Sequence, residues 1–185
     1  MTRRMNATAP KRSVLPTEIY SVLLAIVEAI SLIYLASCTV SPPSNSQEMP
    51  SGHQAMVHHM GHEVMPFDLN KTQHIFEMTD SGGIQQVVTK APNDTSQVAL
   101  IQQHLQHEAM RFSKGDYSDP ASLHGAQMPG LKELAAGEAK VKVEYSALPN
   151  GAQILFTTQD IHLITAIHRW FGAQLSDHGA DATYR

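Results

Sequence analysis

HIFEMTDSGGIQQVVT, residues 74–89, holds two short runs, His74–Thr79 and Ile84–Thr89, on either side of the turn Asp80-Ser81-Gly82-Gly83. Strand-forming residues around a Gly-containing turn read as a β-hairpin. Pro92-Asn93-Asp94-Thr95 follows with helix-start chemistry. Val98, Ile101, Leu105, Ala109 and Phe112 then recur at the spacing of one helical face. The same unit returns downstream. Val141, Val143 and Tyr145 alternate against Lys142 and Glu144, Pro149-Asn150-Gly151 turns the chain, and Ala152–Thr157 brings it back. Asp160 is placed to cap a last helix with Ile161, Ile164, Ile167, Phe171 and Leu175 on one face, and Trp170 off that stripe. Gly83 matches Gly151, and Thr89 matches Thr157. The expected fold is therefore α+β, two ββα units forming a four-stranded antiparallel sheet with two helices on one face. A loop-rich stretch, 113–130, and a short helix around Leu131–Gly137 join the units.

The chain around this domain has 185 residues and a formal charge of −4, with 11 His, 9 Met and 1 Cys. An acidic balance argues against a nucleic-acid partner, which demands a basic face. One cysteine rules out an internal disulfide, a CxxC redox pair, a thiolate zinc knuckle and a CxxCH heme attachment. The histidine excess is the unusual quantity. HExxH, GxSxG and P-loop patterns are all missing, and no residue pair looks arranged for turnover.

Residues 1–37 read as an address. Arg3, Arg4, Lys11 and Arg12 precede an apolar run, Ile19–Ser37, that ends at Cys38. A cationic head, an apolar middle and small residues at a cut site describe a secretory signal peptide. Leu35-Ala36-Ser37-Cys38 resembles the bacterial lipobox, which implies that Cys38 is lipidated and anchors the mature chain. The expected location is the cell membrane or outer membrane, on the extracytoplasmic side. An uncleaved transmembrane anchor and a cytosolic apolar helix are the alternatives, because about 20 apolar residues can span a bilayer. All the histidines lie after Cys38.

Residues 38–66 read as a flexible tether, opening with the Pro- and Ser-rich TVSPPSNSQEMPSG. Its second half concentrates His53, His58, His59 and His62 with Met56 and Met60. Imidazole suits Cu(II), Zn(II) and Ni(II), whereas thioether suits Cu(I), so the mixture favours copper. Residues 67–185 form the compact domain. There His74 alternates onto the face of Phe76 and Met78, the covered face of a strand. His168 lies near the apolar stripe of the last helix, His104 lies at the edge of its stripe, and His107 points to water. The loop at His124 and Met128 adds another imidazole and thioether. These five residues, His74, His104, His124, Met128 and His168, are expected to converge on a copper site, with heme under His/Met ligation as the lesser alternative. For a lone inward histidine, the competing reading is a core residue bonded to a carbonyl.

The stretches MPFDLNKTQHIF, GGIQQVV, GDYSDPASLHGAQMPGL and AIHRWFGAQLSDHG resemble a family of small exported bacterial proteins often labelled aspartate carbamoyltransferase. The resemblance spans most of residues 65–179 and marks His74, His124, Met128, His168 and His178 as positions of interest without assigning roles. The enzyme label does not fit the residues. True carbamoyltransferases resemble one another in a Ser-Thr-Arg-Thr phosphate loop and a His-Pro substrate segment, and neither occurs here. The expectation is a lipid-anchored protein that binds copper for sequestration or handover to a metal-handling partner. A structural or interaction lipoprotein of the envelope is the rival, and an enzyme the third reading.

Overall fold

A computed structural model describes residues 51–185; the leader, Cys38 and the first part of the tether lie outside the described residues. Among the described residues the architecture is mixed, with a five-stranded sheet and five α-helices. Helix α1 (Gly52–Val64) comes first, followed by the hairpin β1 (Thr72–Thr79) and β2 (Gly82–Thr89). Helix α2 (Thr95–Phe112), short helices α3 (Ser118–His124) and α4 (Leu131–Ala136), and the hairpin β3 (Lys142–Leu148) and β4 (Gly151–Thr157) come next. Helix α5 (Ile161–His178) and a three-residue strand β5 (Ala182–Tyr184) close the chain.

The strand order is β3-β4-β2-β1-β5. The two hairpins expected from sequence are present, and their second strands pair antiparallel at the centre, Gln85 opposite Ile154 and Val87 opposite Ala152. The four-stranded antiparallel expectation needs correction at one edge. There β5 pairs parallel to β1, His74 opposite Ala182 and Phe76 opposite Tyr184. A strand of three residues carries no readable period, and only the return of the chain from α5 places it there. Besides the two long helices and the short helix near Leu131 expected from sequence, two further helices, α1 and α3, occur among the described residues.

Caps set the long helices as expected. Asp94 accepts from the Gln97 amide at 3.3 Å and Asp160 from the His162 amide at 3.0 Å. Ile101, Leu105, Ala109 and Phe112 of α2 are buried as their spacing requires. Helix α5 is rotated from its expected phase. It buries Leu163, Ala166, Ile167, Trp170, Phe171 and Gln174, and leaves Ile161 65% exposed. Large apolar residues occur in adjacent pairs on this helix, so two stripes compete. Burying the indole of Trp170 removes the most apolar area from water and selects the observed one. Trp170, expected off the buried stripe, is therefore a core residue, edge-on to Phe112, Tyr117 and Phe156.

The tether expectation fails over its second half. Ser51 caps α1 in a capping box: its hydroxyl accepts from the Gln54 amide at 3.2 Å, and the Gln54 side chain accepts from the Ser51 amide at 2.9 Å. Val57 is fully buried. Gly61 is also buried, and a Cβ there would stand 2.7 Å from Leu69 Cδ1 and 2.9 Å from Met65 Cε. The missing side chain thus lets the helix close on the residues that follow it. The His/Met-rich segment is packed against the domain through α3 and α5. Among the described residues no helix is long and apolar enough to cross a membrane.

Candidate functional site

The start of β1, the middle of α2, the end of α3 and the end of α5 meet around a small cavity of about 50 Å³. Four histidines line it: His74 from β1, His104 from α2, His124 from α3 and His178 from α5. His74 and His178 stack with ring centroids 4.6 Å apart and planes 14° from parallel. His124 meets His178 edge-on at 5.0 Å. The Phe67 ring packs against both His74 and His104, 5.9 Å from the first and 5.6 Å from the second.

These imidazoles are kept neutral. Burial, then the nearby His104, pulls the pKa of His74 down to about 4 despite the opposing pull of Asp181. Burial likewise lowers His104 to about 4 against the attraction of Asp119. His178 is lowered by burial and by the adjacent His74 and His124. His124 is lowered by burial, partly offset by Asp177. The Asp177 carboxylate accepts from His124 Nδ1 at 3.0 Å, so the neutral ring keeps its lone pair on Nε2. A carboxylate behind the distal nitrogen is the support that metal-binding imidazoles use. The other Asp177 oxygen lies 3.2 Å from His53 Nε2, and Asp181 accepts from His58 Nδ1 at 2.8 Å, so two histidines of α1 are held over this end of the domain.

Across the cavity, Glu108 is 5% exposed. Burial, then its hydrogen bond with Asp119, raises its pKa to about 8, so near neutral pH it holds a proton that it donates to Asp119. Arg111 binds Asp119 and also donates from Nε to Asp116 at 2.9 Å. Five buried side-chain polar atoms have no partner among the described residues, and four of them belong to residues on this cavity: His74 Nδ1, Gln85 Oε1, Glu108 Oε1 and Trp170 Nε1. Buried polar groups are nearly always paired, so this concentration marks the cavity as polar space that serves a ligand or ordered water.

Of the five residues expected to converge, three do: His74, His104 and His124. Met128 is buried beside them in a neighbouring groove that shares His124. His168 does not join. Its Nε2–H donates to the Thr79 and Gly82 carbonyls at 3.0 and 2.8 Å, pinning the β1–β2 turn to α5, and this is the carbonyl-bonded role. On α1, His59 and His62 face solvent and Met56 is 48% exposed, while Met60 packs against the core. Residue-by-residue reading missed Glu108 and the cavity face of Trp170. A carboxylate on an apolar stripe, at the Glu108 position between Leu105 and Phe112, was the available signal for the first. His178 was marked only by the family resemblance.

Among the described residues, no group of three or more His, Cys, Asp or Glu is already placed to hold a metal ion. His74 and His178 meet face to face, an arrangement in which two imidazoles do not share one ion in the plane of both rings. The cavity has space for a single ion or a few waters and none for a heme. No protein-family model, no curated protein and no solved structure matches this chain.

Proposed function

We propose that this is a lipid-anchored extracytoplasmic protein, tethered through Cys38, that binds copper for sequestration or handover to a partner protein. One observation carries the reading: His74, His104, His124 and His178 meet on one buried cavity, and all four are held neutral with lone pairs available. Clustering neutral imidazoles away from water gains nothing for folding by itself. A soft or borderline cation repays it. His124, backed by Asp177, is the first ligand, and His178 completes the site by turning off its stack on His74. Imidazole suits Cu(II), and the nearby thioethers suit Cu(I).

Titrating the full-length apo chain with Cu(I) and with Cu(II), against competing chelators, tests this directly. One tight ion per chain is expected, weakened at least about tenfold, or roughly 1.4 kcal/mol, in His124→Asn and His178→Asn. Exchanging the solvent-facing His59 and His62 for Ala should leave that site intact. Affinity no greater than that of a scrambled His/Met peptide would overturn the reading and favour a structural envelope protein. Mass spectrometry of the envelope fraction tests the anchor: a lipid on Cys38 is expected, absent in Cys38→Ala.

A further inference from the structure

Of the three longer helices, α1 is the least anchored. Only Val57 and Gly61 among its residues are buried, whereas α2 and α5 each bury a full stripe. Its other ties are polar and converge on one place, the end of α5. Gln54 Nε2 donates to the Ser176 carbonyl at 2.8 Å, His53 Nε2 lies 3.2 Å from Asp177, and His58 Nδ1 bonds Asp181 at 2.8 Å. The two histidine side chains are 47% and 37% exposed, so water competes for these links and each is weak. A helix of 13 residues is marginal in isolation, so α1 depends on this docking.

The same end of α5 carries a wall of the imidazole cavity. His178 is 8% exposed, and the His124 side chain 2%. Asp177 takes His124 on one oxygen and His53 on the other, so one carboxylate joins the covering helix to a cavity imidazole. Val64 and Met65, where α1 ends, line the cavity themselves. At Met65 the backbone turns extended (φ −103°, ψ 117°) and Pro66 follows, while Phe67 and Leu69 beyond are buried in the core. We infer that α1 is a lid on the imidazole cavity, swinging about Met65–Pro66 and latched to the end of α5 by Gln54, His53 and His58. Lifting it uncovers His124 and His178 and leaves the sheet intact. Such a lid opens at lower cost than the domain unfolds, because few apolar contacts are lost. What the lid admits rests on the copper-binding reading above; the lid itself does not, and its test uses no metal.

The probe is diethyl pyrocarbonate, which acylates neutral imidazole nitrogens that reach solvent. Brief labelling of the full-length chain near neutral pH, mapped by mass spectrometry, should modify His124 and His178 well behind the solvent-facing His59. Val57 is buried but lines none of the cavity, so Val57→Ala acts on it only through the docking of α1. That variant is expected to speed labelling of both His124 and His178 at least about tenfold. The amides of residues 52–64 should exchange faster in step, while sheet amides stay protected. Gln54→Ala removes only the latch to Ser176 and should move the same two sites by about two- to threefold; it stands in if Val57→Ala melts early. Labelling of His124 and His178 at the His59 rate in the wild type would show them uncovered and overturn the lid. So would faster exchange in α1 with unchanged labelling, or faster labelling accompanied by loss of protection across the sheet.

Discussion

Glu108 and the imidazoles facing it act on stability in opposite directions as pH changes. His74 and His104 titrate near 4 when folded against 6.5 ordinarily, so between those values only the unfolded chain binds the proton, and stability rises with pH. Each contributes roughly 3 kcal/mol across that window, and His124 and His178 act in the same direction. Glu108 titrates near 8 when folded against 4.5 ordinarily, so the folded chain keeps a proton that the unfolded chain releases. Its contribution is complete below 4.5 and is lost as pH rises towards 8, at about 1.4 kcal/mol per pH unit. Urea unfolding of the apo chain should show stability rising to near pH 6.5 and then falling towards pH 8, and Glu108→Gln should abolish the fall; a fall of equal slope in that variant would assign it elsewhere. His168 makes a different prediction. Replacing it with Ala strands two turn carbonyls and should cost about 1–3 kcal/mol, with copper affinity unchanged.

At the scale of elements, the hairpins were legible because a glycine turn between alternating runs has few other solutions. Helix α2 was legible because its apolar stripe is unambiguous. Helix α5 had two candidate stripes, and the choice fell to the fit of Trp170 among Phe112, Tyr117 and Phe156. Helix α1 was hidden because its apolar contacts with the core, Val57, Met60 and Val64, are few among its polar residues and imidazoles. Its stability is tertiary. Val57→Ala should therefore cost about 2 kcal/mol and release the amides of residues 52–64 to hydrogen exchange, while the sheet amides stay protected. Uniform loss of protection would mean that α1 and the sheet unfold as one unit.

For the molecule as a whole, a ligand that binds only the folded chain must raise its melting temperature. Copper at 100 times its dissociation constant adds about 2.7 kcal/mol, or roughly 10 °C for a domain of this size. The same copper should raise the melting temperature of His168→Ala by as much as that of the wild type, but that of His124→Asn by about half as much or less. A scan of apo and loaded proteins separates a role at the cavity from a role in the fold.

By itself, the sequence determined the two hairpins, the caps at Asp94 and Asp160, and the presence of more inward imidazole than a core of this size needs, because turns, caps and alternation are local. It also singled out His74, His104 and His124. Tertiary structure decided the rest: β5 beside β1, the phase of α5, the docking of α1, and the division of the histidines between the cavity and the turn held by His168. Those outcomes depend on which surfaces meet. A histidine, unlike an aliphatic residue, can satisfy either a buried carbonyl or a ligand site, and only its neighbours in space distinguish the two.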